Sequence, residues 1–215
     1  MATRLGPPAA NGAVSYGAAT LAGLALIAAA SVAASQVMRP ADLAAAAKSG
    51  GLVINVRHAS TERDYADQIG AVMGDCGTQR TLSEAGWAEA RAIGAAFARL
   101  DLPVGDVVSS ECCRARQTPD LAFGRYRETA ALSFEKSEDF TEKPIARMRA
   151  AVSPLLEQTP DDAANIVIVG HDDPFEAATS KYPKPMGDAH FLRPDGAEGF
   201  DVLGAIASQK WNAVR

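Results

Sequence analysis

Gly51–Asp64 reads GLVINVRHASTERD: an apolar run from Leu52 to Val56 ends on Arg57 and His58, and residues 59–64 are almost wholly polar. A short apolar run of this kind, opened by glycine, fits a strand buried on both faces, the signature of a parallel sheet. The pattern recurs twice. Val107–Val108 leads into Ser109–Arg114, SSECCR, and Ile166–Val169 leads into Gly170, His171 and Asp172. Helical periodicity fills the intervals. Ala90, Ile93, Phe97 and Leu100 recur on one face of Leu82–Leu100, with TLSE, Thr81–Glu84, as a capping box at its start. Ile145, Met148, Val152 and Leu155 do the same over Thr141–Gln158, where Pro154 is placed to kink or shorten the helix. His190–Leu192 and Phe200–Ile206 read as two last strands joined by the turn-rich RPDGAEG. This alternation predicts an α/β fold with a mostly parallel sheet flanked by helices on both faces. Ligands bind at the carboxyl ends of the strands in such sheets, so the three polar clusters are expected to face one crevice.

The totals narrow the function. A length of 215 residues suits one domain. With 47% hydrophobic and 22% charged residues the composition is that of an ordinary globular chain, which argues against disorder and against a multi-span membrane protein. The net charge of -5 argues against a nucleic-acid partner, because phosphate-backbone binding needs a basic stripe. Residues 1–34 stand apart: Arg4 is their only charged side chain, a long run of Ala, Leu, Gly and Ile comes after it, and Val32 and Ala34 supply small residues at cleavage spacing. The reading is a signal peptide over 1–34, a domain over 35–215, and a periplasmic or secreted protein. The alternative is an uncleaved N-terminal anchor facing the periplasm, the one membrane contact considered, since the run approaches the roughly 20 residues that span a bilayer. Of the three cysteines, adjacent Cys112 and Cys113 are poor partners for each other, so in an oxidising compartment Cys76 is the partner of one of them. No C-x-x-C or nearby histidine completes a tetrahedral set, and no metal or other cofactor is expected.

Gathered at one crevice, Arg57, His58, Arg114, His171 and Asp172 would form a compact cationic pocket. Each guanidinium offers a planar fork of donors suited to phosphate oxygens. Positive neighbours favour the neutral, nucleophilic form of an imidazole between them. Asp172, beside His171, is the nearest candidate to protonate a leaving oxygen and then activate water. Other polar residues have plainer readings. Ser109 and Ser110 are expected to cap the next helix, His190 to be structural, and Asp75, Asp161 and Asp162 to be solvated loop acids.

The blocks VRHAST, VVSSECCRARQT and VIVGHDDP resemble, in order and approximate spacing, those of the histidine phosphatase superfamily, which includes phosphoglycerate mutases, phosphohistidine phosphatases and acid phosphatases. The resemblance covers about residues 50–206. It implies a three-layer, phosphoglycerate mutase-like fold and a phosphomonoester hydrolase that works through a phosphohistidine on His58. It further implies that Arg57, Arg114 and His171 hold the phosphate, Arg114 rather than Arg116 matching the family's SSxxxRAxQT. DCGTQRTLSEAG is similar to a stretch of secreted members, which implies a Cys76–Cys113 disulfide. Ala59 replaces the glycine usual after the Arg-His pair. The proton donor stays open: one branch of the family has an aspartate directly after the second histidine, as Asp172 would be, and the other a glutamate in an earlier loop, where Glu135, Glu138 and Asp139 lie. With no large inserted domain the crevice is expected to be open, suiting small or exposed phosphate esters, envelope phosphates among them. The alternatives are a non-catalytic phosphate-binding or envelope-associated protein of the same fold, and a mutase, which export disfavours.

Overall fold

Burial on both faces is what turns the apolar runs into central strands. In a computed structural model, which describes residues 37–62, 70–134, 141–161, 163–196 and 199–215, strand β1 (Val53–Arg57) is buried along its whole length. The signal-peptide reading of residues 1–34 lies outside the described residues, as do Glu135, Glu138, Asp139 and Asp162. Among the described residues no helix is long and apolar enough to cross a membrane.

The elements run in the order α1 (Pro40–Lys48), β1, α2 (Glu84–Arg99), β2 (Val104–Ser110), α3 (Cys113–Phe123), β3 (Arg127–Thr129), α4 (Glu142–Leu156), β4 (Asn165–Gly170), α5 (Asp172–Thr179), β5 (Ala189–Pro194) and β6 (Phe200–Ile206). They build one six-stranded sheet in the order β3-β2-β4-β1-β5-β6. The pairs β1/β4, β2/β4 and β2/β3 are parallel, whereas β5 is antiparallel to both β1 and β6. The sheet is therefore mostly parallel, with an antiparallel pair at one edge.

Period two assigns the side chains to layers. Ile54, Val56, Val167, Val169 and Phe191 pack against α1, α2 and Trp211 on one face. Val53, Val108, Ile166, Ile168 and Leu192 pack against Val152 and Leu156 of α4 and Phe175 of α5 on the other. Burying each such side chain contributes roughly 1.5–3 kcal/mol, so the two apolar layers hold the sheet. Register then aligns the chemistry. Arg57 stands opposite Gly170, Ser109 opposite Val169, and the His58 N–H donates to the Gly170 carbonyl at 2.9 Å. The carboxyl ends of β2, β4 and β1 thus lie side by side.

Two helix starts differ from expectation. The cap of α2 is Ser83, whose hydroxyl accepts from Gly86 N, and not Thr81. Residues 81–83 are held extended against 60–62 instead: Glu62 N donates to Thr81 O, Ser83 N to Ser60 O, and Leu82 N to Gln117 Oε1. Helix α3 is capped by Cys112 without a side-chain bond, so neither Ser109 nor Ser110 is its cap. Helix α4 runs through Pro154 for two further residues, stopping at Leu156.

The start of α2 clamps the loop that carries His58. Ser60 N and Oγ both donate to Glu89 Oε2, at 2.8 and 2.9 Å. A Cβ on Gly86 would fall 1.9 Å from Ser60 O, a separation no packing tolerates. Gly86→Ala is therefore expected to lower stability by about 1–3 kcal/mol, although alanine is the better helix former. Urea unfolding of the two proteins measures this, and a midpoint at or above wild type would contradict the close approach.

Candidate active site

His58 is buried at the end of β1, 1% exposed. Its Nδ1 lies 2.8 Å from the Ala59 carbonyl oxygen, which can only accept, so Nδ1 carries the ring hydrogen. Nε2 then presents its lone pair. Arg114 Nε donates to that atom at 3.1 Å. Thr118 Oγ1 accepts from Ala59 N and donates to Arg114 O, at 3.1 and 2.9 Å, so one hydroxyl joins the histidine loop to α3. Ala59, in place of glycine, buries its methyl group with Leu82 and Ala90.

His171 ends β4, with its ring 5.3 Å from that of His58. Its Nε2 is 3.0 Å from Ser110 Oγ, and that hydroxyl already accepts from Cys112 N. The hydroxyl keeps its one hydrogen to give to Nε2, the arrangement that leaves the His171 hydrogen on Nδ1. Burial first, then the Arg114 charge, pushes both imidazoles well below the ordinary histidine value; Arg57 and Arg80 add to the effect. Both rings are neutral at physiological pH.

Arg57 donates through Nη1 to Pro183 O at 3.0 Å and pairs through Nη2 with Asp172 Oδ2 at 2.6 Å. Arg57 Nε and His171 Nδ1 are buried and take no hydrogen-bond partner among the described residues. An orphaned buried donor costs about 1–3 kcal/mol, which an anionic oxygen would recover. Tyr182 Oη donates to the same Asp172 Oδ2 at 2.6 Å, and its ring lies 5.4 Å from the Arg57 guanidinium carbon. The Phe134 ring stands 5.1 Å from the Arg114 guanidinium carbon and 4.7 Å from the His171 ring.

The sequence-derived set Arg57, His58, Arg114, His171 and Asp172 thus meets at one place. Arg116 turns the other way, toward Cys113 Sγ, Cys76 Sγ and Glu128. Cys76 and Cys113 are joined, and Cys112 is a buried thiol outside that bond. Asp75 caps the turn Cys76–Thr78 by accepting from Gly77 N. His190 lies in β5 beside Asp188, 3.0 Å away, and against the Phe175 ring. Sequence reasoning missed Ser110, Thr118, Phe134, Tyr182 and Arg80. Ser110, Thr118 and Arg80 sit inside the motif blocks, and that position was the signal that could have found them. Phe134 and Tyr182 belong to connections with no pattern of their own.

Two neutral imidazoles and two guanidiniums meet at the carboxyl ends of a mostly parallel sheet, the arrangement that the sequence motifs led us to expect. Residues 53–144 match the family model described as histidine phosphatase superfamily, branch 1. No curated protein matches the sequence. Among solved structures it is similar to the protein histidine phosphatase SixA complexed with tungstate, at 14% identity and a TM-score of 0.54 over 74% of this chain and 98% of that one. It is similar also to phosphoserine phosphatase from Entamoeba histolytica in complex with 3-phosphoglyceric acid, at 15% identity and 0.55 over 74% and 98%. These likenesses carry the fold.

Next to the pocket, Asp173 lines a cavity of about 420 Å³ with Ile145, Met148, Arg149 and Glu176. Desolvation, then Asp172 and Glu176, raises its carboxyl to about 6 from 3.8. A folded-state value above the unfolded one means that the stability held below pH 3.8 is lost as the pH rises through about 6. Asp173→Asn is therefore expected to match wild type near pH 4 and to gain on it as the pH rises, levelling off above about 7. Thermal melts across pH 4–8 check this; a constant difference at every pH would contradict it.

Proposed function

We propose that the protein hydrolyses phosphate monoesters through a phosphohistidine on His58. The observation that carries the reading is the His58 ring itself: Nδ1 is committed to the Ala59 carbonyl, and Nε2 is the unprotonated atom facing Arg114. Arg57, Arg114 and His171 hold the phosphate, whose oxygens satisfy Arg57 Nε and His171 Nδ1. Nε2 forms the bond to phosphorus as the ester P–O bond breaks. The positive charge that develops on the ring is shared with the Ala59 carbonyl through Nδ1–H. Asp172 gives its proton to the leaving oxygen. In the second half, Asp172 takes a proton from the attacking water, the N–P bond breaks, and neutral His58 and inorganic phosphate are left.

The contacts of Asp172 fix how it is held for this role. Oδ2 accepts from both Arg57 and Tyr182, which leaves Oδ1 as the oxygen that carries the transferred proton. The export reading of residues 1–34 is part of the proposal, with small or exposed esters, envelope phosphates included, as the substrate class. The composition of that segment and the Cys76–Cys113 bond support it.

Brief incubation with a labelled phosphate ester and an alkaline quench is expected to leave acid-labile phosphate on His58, and His58→Ala to abolish both label and turnover. A His58→Ala protein that keeps most of its activity would overturn the mechanism. Asp172→Asn is expected to slow esters with poor leaving groups by a factor on the order of 100 and activated aryl phosphates by much less. Equal losses on the two esters would assign Asp172 to holding Arg57 and would move the acid to Glu135, Glu138 or Asp139.

A further inference from the structure

The segment between α5 and β5 leaves Ser180 and returns to the pocket at Gly187, whose N–H lies 3.2 and 3.1 Å from the Arg57 and His58 carbonyl oxygens. At its other end Lys181 N donates to Thr179 Oγ1 at 3.1 Å. Between these anchors Pro183 O accepts from Arg57 Nη1, and Tyr182 stands at the pocket's mouth, 49% exposed. An exposed tyrosine has little packing reason to be fixed. This one is fixed twice, by its hydroxyl on Asp172 Oδ2 and by its ring beside the Arg57 guanidinium. Its hydroxyl is pushed above the ordinary phenol value, chiefly by the hydrogen bond to Asp172, so it keeps its hydrogen and donates throughout the working pH range.

We infer that Tyr182 is a positioning residue for the reaction: with Arg57 it pins Asp172 Oδ2 and so presents Asp172 Oδ1 to the leaving oxygen. The geometry separates two tasks within one side chain. The ring stacks on Arg57 and steadies the phosphate clamp. The hydroxyl matters when phosphate arrives. Arg57 then has an anion of its own to bind, its hold on Asp172 weakens, and the Tyr182 hydroxyl is the donor that keeps the carboxyl group from rotating. No other hydrogen bond from the described residues is made to the Asp172 side chain, so without the hydroxyl it turns about χ2 among orientations of which few aim Oδ1 at the ester.

The inference rests on the phosphatase reading with Asp172 as the acid, and the test separates the two. Wild type, Tyr182→Phe and Tyr182→Leu are assayed on an alkyl phosphate and an activated aryl phosphate, with inorganic phosphate as a competitive inhibitor. For Tyr182→Phe, kcat on the alkyl ester is expected to fall roughly tenfold, with about twofold on the aryl ester, and the inhibition constant for phosphate to stay near that of wild type. Tyr182→Leu is expected to add a severalfold weaker inhibition by phosphate. A Tyr182→Phe protein that equals wild type on the alkyl ester, or loses equally on both esters, overturns the inference while leaving the phosphatase reading in place. A wild-type protein that turns over neither ester overturns both.

Discussion

The hydrogen bond from His58 N–H to the Gly170 carbonyl closes the β1–β4 ladder, and the pocket is built outward from it. It is the last parallel pairing before both chains leave the sheet, so it fixes where each turns. One strand then delivers Arg57 and His58, the other His171, with Ser110 arriving from β2 on the far side of β4. A slip of one residue in this register would send Arg57 to the opposite face, since alternate side chains of a strand face opposite ways. The apolar layers that enforce the register are consequently part of the site's machinery.

Burying this much positive charge is costly, and the surroundings show how it is held. Arg57 is answered by Asp172 and a carbonyl, whereas Arg114 is set against an imidazole nitrogen and a phenylalanine ring. Neither histidine accepts a proton readily in such company. The pocket is therefore electropositive without relying on protonated imidazoles. That suits a doubly charged phosphate, and it keeps nitrogen lone pairs available on the acid side of neutrality.

How much of this was legible depended on whether the information was local. The strands at 52–56, 107–108 and 166–169 were visible because burial on both faces leaves a continuous apolar run, and the polar residues that end them were visible because the sheet ends there. The start of α2 was not: TLSE satisfies the capping pattern locally, but Leu82 N bonds Gln117 and residues 81–83 pair with 60–62, partners distant in sequence. The same holds for Ser110. Its hydroxyl looks like a helix cap when read along the chain and meets His171 only across the sheet. Phe134 and Tyr182 carry no periodicity, so only the folded connections reveal them. Arg114 could be separated from Arg116 by the motif alone. The structure supplies the physical reason, because the two side chains leave α3 on different faces and one is taken up by the sulfurs.

The cysteine pair has a bearing on how the chain matures. Cys112 caps α3 with extended backbone and Cys113 is its first helical residue, so the two neighbouring side chains leave the chain in different directions. A bridge from Cys76 to Cys112 would draw the wrong edge of the helix toward the turn at 76–78 and swing Arg114 away from His58. Oxidation of the chain therefore has a correct and an incorrect outcome that differ by a single atom of sulfur chosen from two adjacent residues. Gln79 biases the choice: its side-chain oxygen takes the Cys113 N–H at 2.9 Å and holds that residue beside the turn. In the folded pocket it is thus Cys113, and not Cys112, that stands against Cys76.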